Sequence, residues 1–177
     1  MIQPNIYNVR ATVKDDWHTL KSLRLAALQD SPHAFIVTYA DAIKFQDIEW
    51  QARSAQQTAC HYLLALKHGE AVGMVGTIIE ESNECHVVAM WIKPKYRGQG
   101  VAALLIDSVK TRIQKEGYSV LALRVALDNK QAIRFYEKQG FKKVNTSVQN
   151  DMSETSVKMI TSIVNEGMTK NVQSRIT

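Results

Sequence analysis

Apolar residues recur along the chain at two different spacings, and the change from one spacing to the other marks the predicted elements. Spacings of three and four predict a helix that begins at Asp15 or Asp16. It ends before Pro32, because the residue that precedes a proline avoids helical backbone. The apolar positions of this helix are Trp17, Leu20, Leu23, Ala27 and Leu28. A second helix, with a weaker pattern, is predicted over residues 41–56.

Short runs of apolar and β-branched residues predict strands at 6–11, 61–67, 70–79, 84–92, 119–125, 141–146 and 156–164. His68 and Gly69 form a tight turn between the second and third of these strands. Two further helices are predicted over 100–116 and 129–139, and Gly140 ends the second one. Hairpins therefore come first and a strand–helix–strand–helix–strand unit follows, which predicts an α/β (α+β) fold whose sheet is mixed and mostly antiparallel.

The length and composition of the chain are those of one globular domain. Its 177 residues, 45% hydrophobic and 22% charged, fit a single core. We expect the domain to cover residues 1–164 and a polar tail to cover 165–177. The N-terminus lacks the charged-then-apolar pattern of a leader, and no apolar run reaches the length of a membrane span, so we expect a cytoplasmic protein without a membrane partner.

The charge pattern favours a small anionic ligand. Subtracting 17 acidic from 22 basic residues gives a net charge of +5. The basic residues do not cluster with interleaved aromatics as a nucleic-acid surface would require. Cys60 and Cys85 are the two cysteines of the chain, and their spacing indicates neither a zinc site nor a disulfide framework. We therefore expect no metal.

Two near-adjacent glycines lie between a predicted strand and a predicted helix, in the segment YRGQGVA at residues 96–102. A helix N-terminus carries unpaired N–H groups and partial positive charge, so unhindered backbone there suits a phosphate. Arg97 adds a full charge, and the small side chain of Ala102 leaves room beside the first turn. A loop in which the glycines serve only for turning is the structural alternative.

Two phosphate-binding motifs fit this segment poorly. A P-loop needs Lys followed by Ser or Thr after its last glycine, and none follows Gly100. The letters GQGVAA match the dinucleotide fingerprint, but that motif wants an acidic residue about 20 positions on, where the chain has Arg124.

The segment instead resembles the pyrophosphate loop of the GNAT superfamily of acyl-CoA-dependent N-acetyltransferases, whose pattern is (Q/R)xxGx(G/A). The matching residues are Arg97, Gly98, Gln99, Gly100, Val101 and Ala102. The later segment DNKQAIRFYEKQGF, residues 128–141, is similar to the second signature of that family at the proper separation. The resemblance implies the GNAT fold, with about four flanking helices around a sheet of about seven strands, and acetyl-CoA as co-substrate. The segment RLAALQDSPHAF also resembles a bacterial subgroup of the family.

In that family the strands equivalent to 84–92 and 119–125 splay apart, and the pantetheine arm of coenzyme A enters the gap. The resemblance implies contacts to the arm from Asn129 and Ala132, and from backbone groups of Met90, Trp91 and Ile92. Asn129 also fits a plain helix cap, and Asp128 with Gln131 fits a capping box. Tyr136 matches the tyrosine whose hydroxyl meets the departing thiolate; by helical spacing alone it would be read as a core aromatic.

Acetyl transfer to an amine needs a free lone pair, but a lysine-like amine is almost fully protonated at neutral pH. Removing its proton at that pH costs roughly 4.6 kcal/mol. His86, Val88 and Met90 alternate onto one strand face toward the expected arm. His86 has the spacing from Gly100 at which family members carry a strand-borne base, and Glu84 shares its parity. A satisfied histidine with solvent as base is the alternative.

The resemblance thus predicts direct attack of a bound amine on the thioester in a ternary complex, without a covalent enzyme intermediate. The acceptor pocket would be built from about 25–50 and 149–156. The acceptor, whether a small molecule or a peptide, stays open, as does a monomer or a homodimer. Two other functions also stay open: an acyl-CoA-binding or sensing module without turnover, and a nucleotide-binding regulatory domain.

Overall fold

The computed structural model describes residues 6–80, 84–144 and 155–163. Within them the strands are β1 (Tyr7–Ala11), β2 (His61–Lys67), β3 (Glu70–Ile79), β4 (Cys85–Ile92), β5 (Val120–Ala126), β6 (Lys142–Lys143) and β7 (Ser156–Ser162). The α-helices are α1 (Trp17–Asp30), α2 (Tyr39–Ala42), α3 (Asp47–Ser54), α4 (Val101–Lys115) and α5 (Lys130–Lys138). Short 3₁₀ turns cover Lys14–Asp16, Pro32–Ala34 and Pro94–Tyr96.

One sheet contains all seven described strands in the order β1-β2-β3-β4-β5-β7-β6. Among these strands only β4 and β5 run parallel; the other neighbouring pairs are antiparallel. The β2–β3 hairpin turns at His68 and Gly69, which both have positive φ, as a two-residue hairpin turn requires. The predicted fold class, a mixed and mostly antiparallel sheet with flanking helices, is therefore confirmed.

Helices cover both faces of the sheet and form two buried clusters. On one face α4 and α5 pack against the sheet through residues such as Leu105 and Ile133, and Phe141, which follows α5, joins the same cluster. On the other face α1 packs through Leu20, Leu23 and Ala27. The alternation of side chains along each strand supplies the two apolar faces that these helices cover. No helix in the described part of the chain combines the length and apolar character needed to cross a bilayer.

The prediction of one helix over 41–56 is wrong, because two helices, each with its own N-terminal cap, cover this region. Thr38 caps α2, since its Oγ1 accepts the N–H of Asp41 at 3.2 Å. At the start of α3 the carboxylate of Glu49 accepts the N–H of Gln46 at 2.8 Å. The first cap starts α2, which ends at Ala42, and the second starts α3 at Asp47, where apolar spacing alone predicts continuity.

The predicted capping box of Asp128 and Gln131 is also wrong. The helix α5 begins one residue later, and Asn129 caps it by accepting the N–H of Ala132 at 3.0 Å. The predicted strand over 141–146 appears as the two-residue β6, and its last two residues lie outside the described residues. The predicted tail at 165–177 lies outside them as well.

Candidate active site

The strands β4 and β5 separate partway along their length. Their parallel pairing covers three positions, from Cys85–Leu121 to Val87–Leu123. Both strands continue past it, β4 to Ile92 and β5 to Ala126, while β5 keeps its pairing with β7 on the other side. The result is an opening between two neighbouring strands of one sheet, at the place where the family resemblance implies a gap.

A β-bulge in β4 lies at the edge of this opening. The register with β3 shifts between Met74 and Gly76, and Ala89 opposite the shift has a φ of 52°. Bulges insert one residue and so reverse the alternation of side chains beyond them. Val88 accordingly packs with the cluster under α1, whereas Met90 packs with the cluster under α4 and α5. The prediction that His86, Val88 and Met90 share one face is therefore wrong for Met90.

A cavity of about 1410 Å³ runs through the opening and reaches both sides of the sheet. Of the predicted site residues, it is lined by His86, Met90, Asn129, Ala132 and Tyr136. Trp91, Ile92 and the segment from Arg97 to Ala102 do not line it. Its other walls come from 30–37, from Thr155 and Ser156, and from side chains of α1 and α3. The predicted acceptor region thus contributes residues to the cavity, although 149–154 lie outside the described residues.

The glycine segment turns the chain from β4 into α4. Gly98 and Gly100 have φ values of 75° and 83°, a left-handed conformation that glycine adopts at no steric cost. A Cβ added at either position would meet no heavy atom within 4 Å, so the surface above the segment is open. The first bond of α4 joins Leu104 N to Gly100 O, and the preceding N–H groups, at 101–103, have no intrahelical acceptor. Open space over such N–H groups suits an anionic ligand.

The side chains of Arg97 and Gln99 have partners inside the protein. The Arg97 guanidinium donates to the Ile92 carbonyl at 3.0 Å and pairs with the carboxylate of Asp30. Asp30 also accepts the indole N–H of Trp91 at 2.9 Å. Gln99 accepts the Tyr7 hydroxyl at 2.6 Å and donates to the Lys95 carbonyl at 2.8 Å. Two side chains of the segment therefore fix its backbone to α1 and β1.

Tyr136 lies in the wall of the cavity, between two other aromatic rings. Phe135 and Phe141 contact it edge-on, with ring centroids 5.1 and 5.6 Å away. Burial raises the pKa of the Tyr136 phenol to about 12, because the anionic form is disfavoured away from water. The hydroxyl is therefore a protonated donor throughout the neutral and mildly basic range.

His86 lies at the same cavity among charged groups from neighbouring strands. Only 5% of the residue is exposed. Its Nε2 lies 3.1 Å from a carboxylate oxygen of Glu84 and 3.2 Å from one of Glu80. The ammonium group of Lys158 on β7 pairs with Glu84. Hydrogen bonds from Lys158 and then from His86 hold the pKa of Glu84 below its ordinary value.

Glu80, Glu84 and His86 each offer one atom that could bind a cation, a carboxylate oxygen or an imidazole nitrogen. These three atoms lie within 4.8 Å of one another. Lys158 already supplies positive charge to Glu84. Sequence reasoning identified Glu84 and His86 from their shared strand parity but missed Glu80 and Lys158. Glu80 follows β3 and Lys158 lies on β7. No local sequence pattern indicates that residues so far apart in the chain come together.

Neither cysteine has the lowered pKa that is typical of a nucleophilic thiol. Cys85 is fully buried in the cluster under α4, and burial raises the pKa of its thiol to about 11. Burial likewise raises the pKa of Cys60. Thiols with a raised pKa stay protonated at neutral pH, and the thiolate is the nucleophilic form.

Comparison with known proteins agrees with this geometry. The model of the Acetyltransferase (GNAT) family matches residues 18–141. A mycothiol acetyltransferase of Brachybacterium faecium is 30% identical over 148 residues, which cover 74% of this chain and 44% of the relative. The chain spans about a third to less than half of the length of the curated relatives that it matches.

Solved structures share the fold at low sequence identity. A GNAT acetyltransferase of Streptococcus pneumoniae superposes with a TM-score of 0.73 at 19% identity, over 89% of this chain and 99% of the other. An acetyltransferase of Salmonella typhimurium, solved with acetyl-CoA, superposes with a TM-score of 0.70 at 13% identity, over 92% of this chain and 97% of the other.

Proposed function

The chain belongs to the acetyltransferase (GNAT) family, and from that premise we propose that it moves an acetyl group from acetyl-CoA to a primary amine held in the same cavity. One observation carries the proposal. A single cavity runs through the gap between β4 and β5 and is lined by both Tyr136 and His86, a buried acid and a candidate base.

Acetyl-CoA supplies the acetyl thioester when it is bound. We assign its pyrophosphate to the amide groups at Gly98, Gly100, Val101 and Ala102, above which the surface is open. Each N–H bond to a charged oxygen contributes about 1.5–3 kcal/mol. The Arg97 and Gln99 side chains hold this backbone in place, and Arg97 adds positive charge beside it.

The acyl arm of the co-substrate fits the gap itself. There the backbone of β4 at Met90, Trp91 and Ile92 lies beyond the pairing with β5 and offers it main-chain groups. From the other side Asn129 and Ala132 border the gap at the start of α5. Asn129 uses its Oδ1 as the helix cap, which leaves its amide N–H groups as the donors toward the arm.

We assign the base to His86 and the acid to Tyr136. His86 takes a proton from the acceptor nitrogen, which then forms its bond to the acetyl carbon. Tyr136 gives its hydroxyl proton to the departing sulfur as the carbon–sulfur bond breaks. The acylated nitrogen releases its second proton to solvent, and exchange with solvent restores the Tyr136 hydroxyl and the neutral imidazole. Glu84, the other candidate base, is held ionised by Lys158, and a lowered pKa makes it a weak proton acceptor. We therefore assign Glu84 and Glu80 to orienting the imidazole.

Thermal unfolding with acetyl-CoA, NAD and ATP tests the ligand, and a thiol-release assay with a panel of amines tests the reaction. Ligand at about 100 times its dissociation constant adds about 2.7 kcal/mol to the free energy of unfolding. We expect a shift with acetyl-CoA that exceeds those with NAD and ATP, and thiol release that depends on amine. A shift without release for any amine would indicate a sensing module, and a larger shift with NAD or ATP would indicate a nucleotide-binding domain.

A further inference from the structure

The cavity extends on the α1 side of the sheet into a recess whose chemistry the acetyl-transfer step does not use. We call this recess the arginine pocket, and it is lined by Arg24, Phe35, Phe45, Trp50, Arg53 and Tyr62. The residues come from α1, α3, β2 and the segments that follow α1. Three of them, Phe35, Phe45 and Trp50, lie within the segment 25–50 that is predicted to contribute to the acceptor pocket.

Three N–H donors of the arginine pocket lack acceptors. The Nη1 of Arg24, the Nε of Arg53 and the Nε1 of Trp50 are buried, and none of them has a hydrogen-bond partner in the described part of the chain. Only 1% of Trp50 is exposed. Buried donors are almost always satisfied in folded proteins, so three unsatisfied ones on the walls of a single cavity indicate a ligand that accepts hydrogen bonds.

The two guanidinium groups also lack counter-charges. Neither Arg24 nor Arg53 forms an ion pair within the ranges 6–80, 84–144 and 155–163. Two carboxylates in the cavity wall have partners of their own, since Asp30 pairs with Arg97 and Glu80 contacts His86. Arg124 on β5 and Asp128 after it also line the cavity, and both are exposed.

Aromatic rings hold both guanidinium planes in place. Arg24 lies 4.6 Å from the ring centroid of Phe35, and Arg53 lies 4.6 Å from that of Phe45. Stacking fixes the plane of a guanidinium and leaves its edge free to pair with an oxyanion through two parallel hydrogen bonds. Burial raises the pKa of Tyr62 and both arginines oppose that rise, which indicates that they flank the same side chain.

The arginine pocket lies within reach of the candidate base. Tyr62 pairs with Gly76 across β2 and β3, and Gly76 pairs with Val88 across β3 and β4. Strands two apart in a sheet lie about 10 Å from each other. His86 lies two residues from Val88 on the same face of β4. A small acceptor, with a few bonds between its amine and its second polar group, can therefore reach from His86 to the arginine pocket.

We propose that the acceptor is an amine that also carries an oxyanion, a carboxylate or a phosphate, and that Arg24, Arg53 and Trp50 bind this group while the amine lies at His86. The inference rests on the proposed acetyl transfer and names the class of its acceptor. Asp30 pairs with Arg97 and Glu80 contacts His86, so neither carboxylate neutralises the two arginines of the arginine pocket.

A matched panel of acceptors tests whether the protein prefers an amine that carries an oxyanion. Thiol release at saturating acetyl-CoA is measured with ω-amino carboxylates of graded chain length, with their neutral amides and with the corresponding aminoalkyl phosphates. We expect kcat/KM for an anionic amine to exceed that of its amide at least about tenfold, because charged hydrogen bonds are lost with the amide. A preference for carboxylate or for phosphate distinguishes the two oxyanions.

Variants assign the preference to the arginine pocket. Arg24→Gln and Arg53→Gln are expected to bring the anion-to-amide ratio close to one through a higher KM for the anionic amine. Arg24→Lys keeps the charge without the planar fork and is expected to retain part of the ratio. Arg134→Gln, an exposed arginine on α5 that does not line the cavity, serves as the matched control with an unchanged ratio.

Equal kcat/KM for anionic and neutral amines in the native protein would overturn the proposal while leaving acetyl transfer intact. If no amine is acetylated, the melting temperature with each amine decides instead. A shift with the anionic amine that exceeds the shift with its amide, and that disappears in Arg24→Gln, supports the pocket; equal shifts overturn it. A missing response to acetyl-CoA contradicts the proposed function separately.

Discussion

At the scale of single residues, the environment of Tyr136 keeps its hydroxyl protonated. With the pKa raised to about 12 by burial, the acid form persists well above the pH at which an exposed tyrosine, with a pKa of about 10, would be half ionised. The acid that we assign to the departing thiolate is therefore available across the range in which amine acceptors lose their protons.

Replacing Tyr136 with Phe tests this role. We expect kcat to fall at least about tenfold, within the range of general acid catalysis, while the KM for acetyl-CoA changes little. In the native protein kcat should show no decline between about pH 8 and 10 from loss of a phenolic proton. Steady-state kinetics across pH measures both, and Tyr118→Phe outside the cavity is the control. Unchanged turnover in Tyr136→Phe would remove the acid assignment.

His86→Gln tests the base. The amide keeps a donor toward Glu84 but cannot accept the acceptor's proton at neutral pH, so we expect kcat to fall by about 10²–10⁴. The pH–rate profile of His86→Gln should differ from that of the native protein, because the variant lacks the group that accepts the proton. Full pH–rate profiles are the measurement, with His18→Gln on the exposed face of α1 as control. A pH–rate profile of His86→Gln identical to that of His18→Gln would contradict the assignment of His86 as the base.

Asp30 links α1 to β4 and to the glycine segment. Hydrogen bonds from Trp91 and then from Arg97 hold the pKa of its carboxyl below the ordinary value. A carboxyl with a lowered folded-state pKa stabilises the fold at every pH above its unfolded value and loses that contribution as pH falls through the folded value.

Asp30→Asn should therefore lower the free energy of unfolding by about 1 kcal/mol at neutral pH, a modest value because the pair with Arg97 is partly exposed. The difference from the native protein should shrink as the pH is lowered below about 4, the ordinary pKa of an aspartate. Urea unfolding at a series of pH values measures it. A difference that stays constant into strong acid would show that the carboxylate charge has no part in the contact.

At the scale of elements, periodicity predicted the long helices and every described strand except β6 to within a residue or two, but it could not predict where regular pairing ends. The bulge at Ala89 leaves no mark in composition, because the residue is an alanine and not a glycine, and it reversed the expected face of Met90. The sequence contains the capping residues Thr38 and Glu49, but apolar spacing alone predicts one continuous helix over 41–56.

The bulge predicts an unusual response to substitution at Ala89. Its φ of 52° is strained for any residue with a Cβ and most strained for a β-branched one. We expect Ala89→Val to destabilise the protein by about 2 kcal/mol or more, whereas Ala89→Gly stays within about 1 kcal/mol because relief of strain offsets the added freedom of the unfolded chain. Urea unfolding compares the two. Similar losses in both variants would contradict a strained bulge.

At the scale of the whole molecule, one sheet separates two chemical environments that the cavity connects. The α4–α5 face holds Tyr136 and the glycine segment, which we assign to the co-substrate. The α1–α3 face holds His86 and the arginine pocket, which we assign to the acceptor. Sequence motifs predicted the first environment, because its residues lie in two continuous segments. They did not predict the arginine pocket, because Arg24 and Arg53 lie far apart in the sequence and meet only in the folded chain.

In the proposed function the amides at the start of α4 bind the pyrophosphate of coenzyme A, and both assignments depend on that contact. Calorimetric titration of acetyl-CoA into Gly100→Asp and Gly100→Asn tests this directly, because both side chains tolerate the left-handed backbone and only Asp adds negative charge. We predict affinity at least about tenfold weaker for Asp than for Asn. Equal affinities for the two variants would contradict pyrophosphate binding at this helix.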